Sequence, residues 1–487
     1  MAEPCDLTAV EARRLIGARG LSPVELVDSC IRRIEQWNPH VNAVVTTCYD
    51  RARAEARAAE AAVMRGDALP PLHGLPVGIK DLDETEGVRT TYGSLLFRDH
   101  VPDRDSLMVA AVRRAGGIVL GKTNTPEFGA GGNTNNALFG ATRNPFDLRL
   151  TCGGSSGGAG VALATGMLPL CQGSDTGGSL RLPACFNGVV AHRGSPGVVP
   201  TERRDLALTF YQSQGPMGRT VADASLLLSA MAARTRRDPM AWPLDPAQFE
   251  TVESVDLARL RVVVSADLGC ATVDRRVRDT FHERVARFRH VFASCEERSP
   301  DFSTMLETFW LLRGEYMLAR HAERIERYGP EVNPNVRSNY AAALKMDLKR
   351  VALAHKEQLG LYQRFQDFLE GVDVLLCPGV TVLPFPYDQL YPTEVDGRPM
   401  DNYVHWAALT SSLTVVGHPV VALPCGLDPQ GTPFGIQVVG PMYGDRFTLG
   451  AAQALEQLFA TDPTLARPVP RLEQTLAAGG RAHLVIE

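Results

Sequence analysis

The chain has 487 residues, of which 45% are hydrophobic and 22% are charged. These proportions are typical of a soluble globular protein, and they exclude a disordered or fibrous chain. The formal net charge of −5 is mild and no run of five or six like charges occurs, so we expect no nucleic-acid partner.

Two helices are predicted near the start of the chain. Ser22 and Pro23 precede "VELVDSCIRRIEQW", and "RARAEARAAEAAVMRG" ends at Gly66. Serine before a helix, proline at its first position and glycine after its last residue are the usual boundary signals. The first residues lack the basic and apolar regions of a secretion signal, so we expect a cytoplasmic protein.

Alternating strands and helices predict an α/β fold. Helical patterns such as "DSLMVAAVRRAGG" and "DRRVRDTFHERVARFRH" separate short apolar segments. Several of these segments are apolar throughout, which indicates a large sheet covered by helices on both faces. The strand candidates are "VGIKD" (77–81), "IVLGK" (118–122), "RVVVSA" (261–266), "DVLLCPG" (373–379), "PVVALPCG" (419–426) and "FGIQVVG" (434–440).

Residues 302–371 break this alternation because their pattern is helical almost throughout. We interpret them as a helical insert between two strands of one sheet. Such an insert either shapes a substrate pocket or packs as a separate layer, and the sequence leaves both open. Since no repeat or low-complexity linker marks a boundary, we predict a single domain over residues 1–487.

No membrane segment and no disulfide framework are expected. Residues 150–174 carry no charge, but Gly, Ser, Thr, Gln and Pro interrupt them, whereas a spanning helix needs about 20 predominantly apolar residues. The ten cysteines include no C-x-x-C pair, which favours free thiols in a reducing compartment over disulfides or a zinc site.

Two motifs suggest other chemistries. "GGIVLGKT" (116–123) matches the phosphate-loop pattern, but its variable positions look like a strand and no regular helix follows, so we reject nucleotide binding. "GGSSG" (153–157) matches the nucleophile elbow of α/β-hydrolases, with Ser155 as nucleophile and His405 or His418 as base. This second interpretation stays open at the level of sequence.

A third interpretation combines Lys80, Ser155 and Ser179. A serine hydroxyl needs a base to take its proton, and a neutral lysine can serve where no histidine is placed to do so. Free lysine has a pKa near 10.4, so it must be desolvated to act as a base near neutrality. Lys80 lies at the end of an apolar strand, which suits that requirement, although pairing with Asp81 or Asp83 is the alternative.

Seven motifs follow one another along the chain: "GLPVGIKD", "GKTNTPEFG", "TRNPFD", "GGSSGG", "GSDTGGSLRLPA", "QGPMGRTVADASLLL" and "GIQVVGP". Their order and spacing over most of residues 5–460 resemble the amidase signature family of serine hydrolases. The similarity is densest between residues 74 and 226, within a signature core of about 70–230, where "GGSSGG" (153–158) precedes "DTGGS" (175–179). The segment 189–197 and Cys152 depart from the family pattern, so the motifs do not assign the chain to a subfamily.

The resemblance implies roles for individual residues. Ser179 would be the nucleophile, Ser155 a bridging serine held by a cis peptide bond, and Lys80 the base. Ser156 would support the loop, and Gly129 would line the acyl pocket. The oxyanion would be bound by backbone N–H groups of the turn, namely Thr176, Gly177, Gly178 and Ser179. Asp175 and Arg181 beside this turn are expected to pair structurally.

The implied activity is cleavage of the C–N bond of a carboxamide, an aryl acylamide or a carbamate (a urethanase activity). It would proceed through an acyl-enzyme on Ser179 without metal or cofactor. The alternative is the catalytic subunit of a glutamine-dependent amidotransferase complex. The expected partner is a small-molecule amide or carbamate. The sequence leaves open whether the protein forms a homodimer.

Overall fold

A mixed sheet of eleven strands forms the centre of the computed structural model, which describes residues 3–479. Its strand order is β1-β3-β2-β6-β8-β7-β14-β15-β11-β9-β10, and two further pairs, β4-β5 and β12-β13, lie outside it. The strands are β1 (Val44–Thr47), β2 (Pro76–Lys80), β3 (Ile118–Thr123), β4 (Asn135–Asn136), β5 (Gly140–Ala141), β6 (Leu170–Asp175), β7 (Val190–Arg193), β8 (Ser213–Gly218), β9 (Arg261–Val264), β10 (Ser294–Glu297), β11 (Val374–Pro378), β12 (Glu394–Val395), β13 (Arg398–Pro399), β14 (Val420–Leu427) and β15 (Pro433–Val439).

Fourteen α-helices accompany the sheet within the described residues. They are α1 (Ala9–Gly17), α2 (Pro23–Val41), α3 (Tyr49–Arg65), α4 (Leu107–Arg114), α5 (Gly157–Ala164), α6 (Arg181–Asn187), α7 (Val221–Met231), α8 (Arg275–Phe288), α9 (Met305–Tyr328), α10 (Pro334–Ala343), α11 (Leu348–Phe368), α12 (Ala408–Val416), α13 (Asp445–Phe459) and α14 (Leu472–Gly479). The predicted α/β class is therefore confirmed.

The central strands are buried on both faces. Every residue of β2, β3, β11 and β15 is buried, as expected for a sheet that helices cover on its two sides. The sheet is mixed. Strand β2 runs parallel to β3 and β6, whereas the neighbours β6–β8, β8–β7, β7–β14, β14–β15 and β15–β11 are antiparallel pairs. All six predicted strands are present.

The predicted helix boundaries follow local capping chemistry. The Ser22 hydroxyl accepts the Val24 N–H at 3.0 Å, and Glu25 accepts the Ser22 N–H at 3.1 Å, forming a capping box before α2. Gly66 ends α3 with a φ of 79°, a left-handed conformation that glycine adopts without strain. Helix α1 was not predicted.

Three helices of the predicted insert, α9, α10 and α11, lie between β10 and β11 in the chain. Both of these strands flank β9 and run parallel to it, so the helices interrupt one continuous sheet. In the chain, these three helices lie between two strands of one sheet. All ten cysteines are free, seven of them buried, and within residues 3–479 no helix has the length and apolarity needed to cross a membrane.

Candidate active site

Lys80 is the last residue of β2, and its side chain is fully buried. Its Nζ lies 2.7 Å from Ser155 Oγ, 2.9 Å from Ser156 Oγ and 3.1 Å from Ser174 Oγ. An ammonium has three N–H donors, whereas a neutral amine has two donors and one lone pair that accepts a proton. Three hydroxyls around a buried amine therefore satisfy both protonation states, and one of them can hand over its proton.

Burial lowers the pKa of Lys80 to about 7, because desolvation disfavours the charged ammonium. Two carboxylates, Asp83 and Asp175, act in the opposite direction and raise this pKa, whereas the charge of Arg320 lowers it. None of these charges contacts the amine directly. Desolvation thus keeps a substantial fraction of Lys80 neutral at neutral pH, as a general base requires.

The serine pair lies immediately before α5. The Gly154–Ser155 peptide bond is cis, as the family resemblance implied. The Ser156 N–H donates to the backbone oxygen of Ser179 at 3.1 Å, which joins the serine pair to the turn that carries the second serine. Ser156 Oγ also accepts the Ser174 N–H at 3.3 Å. The hydroxyls of Ser155 and Ser156 are therefore fixed relative to both Lys80 and Ser179.

Ser179 follows a glycine turn that is organised by the buried carboxylate of Asp175. This carboxylate accepts the Gly178 N–H at 2.8 Å and the Leu180 N–H at 3.2 Å. It also forms ion pairs with Arg181 at 3.0 Å and Arg193 at 3.2 Å, which hold its pKa well below the usual range. The expected structural pairing of Asp175 with Arg181 is present in the structure.

The same contacts correct the assignment of oxyanion donors. The Gly178 N–H is already used by Asp175 and is not free to point at a substrate oxygen. Gly178 has a φ of 131°, and a Cβ at this position would lie 2.2 Å from Thr410 Oγ1, so glycine is required there for close packing. The candidate donors that remain are the N–H groups of Thr176, Gly177 and Ser179.

A cavity of about 150 Å³ connects these groups. Ser155, Ser174 and Ser179 lie in its wall together with Gly129. This volume is comparable to cavities that hold a benzene ring. Charged and polar side chains, Arg313 and Arg320 among them, share the rest of the wall with apolar and aromatic ones. The larger apolar and aromatic side chains are Leu82, Phe128, Leu182, Phe309, Tyr316, Met317, Tyr403, Val404 and Trp406.

Gly129 lies in the cavity wall, close to the serine pair. A Cβ at Gly129 would come within 2.8 Å of Leu82 Cδ1 and 3.4 Å of Ser155 Oγ. Gly131 and Gly132 continue this wall, and a Cβ at Gly132 would lie 2.2 Å from the Trp406 ring. The glycines thus allow the backbone to approach the reacting groups closely.

Sequence reasoning missed two contributions to the site. Ser174 contacts Lys80, and Gln172, two residues earlier on β6, accepts the Lys80 backbone N–H at 3.2 Å. The period of two in a strand was the available signal, since it places Gln172 and Ser174 on one face. The second contribution comes from α9, whose residues Phe309 and Tyr316 line the cavity.

The competing motifs do not form sites. Residues 118–123 of the phosphate-loop pattern are strand β3, and Lys122 is buried against the hydroxyls of Thr85 and Thr90. His418 is packed on the Phe365 ring at 4.7 Å and hydrogen-bonds Gln366 at 2.9 Å, away from the cavity.

His405 likewise stays outside the cavity, where its Nδ1 lies 3.4 Å from Asp401. Since neither histidine reaches Ser155, the α/β-hydrolase interpretation is wrong. In the part of the chain that the structure describes, no three His, Cys, Asp or Glu side chains are grouped to hold a metal ion.

The fold agrees with comparisons to known proteins. The family model described as Amidase matches residues 25–449. An acylamidase from Rhodococcus erythropolis is 32% identical over 92% of this chain and 95% of its own length. A glutamyl-tRNA(Gln) amidotransferase subunit from Moorella thermoacetica is also 32% identical, over 93% of this chain and 96% of its own.

Among solved structures, a bacterial aryl acylamidase of the amidase signature enzymes superposes with a TM-score of 0.85. It has 26% identity and covers 98% of this chain and 99% of its own. Fold and site therefore define a hydrolase that acts on amide C–N bonds. The chain belongs to the amidase signature family.

Proposed function

We propose that the protein is an independent amidase that cleaves carboxamides, aryl acylamides or carbamates through an acyl-enzyme on Ser179. The observation that carries this proposal is the buried Lys80 amine, held 2.7 Å from Ser155 Oγ in the wall of the cavity that also contains Ser179. A carbamate presents the same carbonyl beside nitrogen as an amide does, which is why it belongs to the same substrate class.

The reaction begins with two coupled proton transfers. Ser155 gives its proton to Lys80 Nζ and takes the proton of Ser179 Oγ, which forms a bond to the substrate carbonyl carbon. Among the described residues no hydrogen bond joins the two serine hydroxyls, so the second transfer requires the Ser179 side chain to turn toward Ser155. The negative oxygen of the tetrahedral intermediate then accepts hydrogen bonds from the N–H groups of Thr176, Gly177 and Ser179. In comparable sites, each such donor stabilises the transition state by roughly 3–4 kcal/mol.

Collapse of the tetrahedral intermediate completes the first half of the reaction. The C–N bond breaks while the proton on Lys80 returns through Ser155 to the leaving nitrogen. Water then attacks the ester on Ser179 while Lys80, acting through Ser155, again takes up a proton. This step releases the carboxylic acid and restores the serine. Ping-pong kinetics follow from this scheme.

The aromatic wall supports an aryl or arylalkyl substrate. Phe128, Phe309 and Trp406 face a volume close to that of one aromatic ring. A screen of p-nitroanilides, primary amides and aryl carbamates of graded acyl size, using the purified chain, tests this substrate class. We expect hydrolysis of aryl or arylalkyl amides, and a chain inactive on every amide would contradict the proposal.

The alternative is a protein that works inside an amidotransferase complex and transfers ammonia to a partner. The 32% identity with the glutamyl-tRNA(Gln) amidotransferase relative favours it as the second candidate. The discriminating measurement is hydrolysis of simple amides by the chain without any other protein. Turnover by the isolated chain supports an independent amidase. Activity that appears only when partner proteins are added would support the amidotransferase role.

A further inference from the structure

Arg313 places a cationic side chain in the wall of the active-site cavity. It follows Phe309 by one turn on α9, and a Cβ on Gly177 would lie 3.0 Å from the Phe309 ring. One helical turn of four residues advances about 6 Å. Arg313 is therefore one helical turn along α9 from the ring that packs on the glycine turn before Ser179, and it lines the same cavity as that turn.

A chain of amide groups fixes the Arg313 guanidinium. Its Nη1 donates to Asn339 Oδ1 at 2.9 Å, and Asn339 Nδ2 donates to the Asn335 backbone oxygen at 2.8 Å. Asn335 Nδ2 in turn donates to the Ala130 oxygen at 2.7 Å, within the wall that begins at Gly129. A guanidinium has five N–H donors, and this anchoring uses one of them. The remaining donors are available to the cavity.

Within residues 3–479, the charge of Arg313 has no carboxylate partner, unlike that of Arg320. Arg320, also in the cavity wall, pairs with Asp205 at 2.6 Å. No carboxylate of residues 3–479 lies within ion-pair distance of Arg313, which instead stacks over the Tyr403 ring at 5.3 Å. Desolvation lowers the pKa of Arg313, because burial disfavours its charged form.

Asp83 and His321, two other titratable groups in the cavity wall, form no ion pair with Arg313. The two oxygens of Asp83 accept N–H groups from Gln172 and Gln214. Burial together with the charge of Arg320 lowers the pKa of His321 to about 2, so its ring is neutral. A guanidinium that is fixed, desolvated and open to a cavity is well suited to a bidentate contact with a carboxylate.

We propose that Arg313 binds a carboxylate on the acyl part of the substrate, so that the preferred substrates are amides of dicarboxylic acids. The inference rests on the proposed amidase function and specifies its substrate class. The acyl side is favoured because the amide chain ties Arg313 to Ala130, next to Gly129 in the wall close to Ser155. The guanidinium would select the substrate and take no part in bond breaking.

The test compares two anilides that differ in one charge. Glutaryl-p-nitroanilide carries a terminal carboxylate, pentanoyl-p-nitroanilide has the same chain length without it, and both release p-nitroaniline. Arg313→Gln should lower kcat/KM for the glutaryl substrate by about 10- to 100-fold and change that for the pentanoyl substrate by less than about threefold. Arg313→Lys should restore part of the loss, since lysine supplies the charge without the fork.

Arg327→Gln is the matched control, because it removes an exposed arginine from the same helix. It should leave both rates unchanged, and unfolding midpoints of the three variants report on folding. Equal losses on both anilides after Arg313→Gln, or no preference for the glutaryl substrate in the wild type, would overturn the carboxylate site while leaving the amidase function intact.

A second measurement separates this inference from the proposed function. If the wild type hydrolyses neither anilide, the amidase proposal fails for this class, and calorimetric titration with glutarate still reads out the subsite. Weaker glutarate binding by Arg313→Gln than by the wild type supports the subsite. Equal binding, or binding by neither protein, refutes it.

Discussion

Acidification should inactivate the enzyme through a single group, Lys80. The amine accepts a proton only when it is neutral, and burial places its pKa at about 7. Since the protonated form predominates below that value, kcat/KM falls as the pH is lowered, by tenfold for each unit. At pH 5, about 1% of the amine is neutral, so we expect about 1% of the activity seen on the alkaline plateau.

The assay is kcat/KM for a neutral anilide between pH 5 and pH 9, because an uncharged substrate contributes no titration of its own. His418 would give a different profile, since desolvation lowers its pKa to about 4. Asp83→Asn should move the midpoint to lower pH, because it removes a charge that raises the Lys80 pKa. Activity that stays constant down to pH 5, or a midpoint above pH 9, would refute a desolvated lysine base.

Three substitutions test the remaining structural claims. Lys80→Met should lower kcat by about 10²- to 10⁴-fold with an intact fold, measured by steady-state kinetics and circular dichroism; near-normal turnover would argue against a base. Asp175→Asn should destabilise the protein by about 3–5 kcal/mol in urea unfolding, because Arg181 and Arg193 lose their buried counter-charge. Gly129 has a φ of 73°, and a Cβ there would lie 2.8 Å from a leucine methyl. Gly129→Ala should therefore lower kcat/KM more for substrates with bulky acyl groups than for those with an acetyl group. An equal loss for all acyl groups would show that Gly129 is not part of the acyl wall.

Much of the fold could be predicted because its strands and caps carry strong local signals. The apolar run that ends at Lys80 forms strand β2. Ser22 caps the start of α2, and Gly66 caps the end of α3. Each of these features depends on a few adjacent residues. The lysine–serine cluster could be predicted for another reason, because the spacing of its motifs resembles a known family.

The remainder depended on contacts between distant segments. Strand β6, "LCQGSD", and strand β8, "SQGPMG", were missed because glycine and polar residues give them low strand propensity, and their pairing with each other supplies what local sequence does not. Gly178 was assigned as an oxyanion donor because nothing in the sequence showed that Asp175 takes its N–H.

The position of α9 over the turn that precedes Ser179 likewise depends on tertiary contacts. The sequence showed a helical segment but not its orientation, so it could not separate a pocket wall from a packing layer. Packing of Phe309 against Gly177 settles that question, because it places one face of the helix on the active-site cavity. Arg313 enters the site only through this placement.

The central claim is that Ser179 carries the acyl group while Ser155 relays the proton. Its most direct test is to inactivate the enzyme with a fluorophosphonate and to locate the adduct by peptide mass spectrometry. We expect one label per chain, on Ser179, and no label in the Ser179→Ala variant. A label on Ser155, or one that persists after Ser179→Ala, would contradict the assignment.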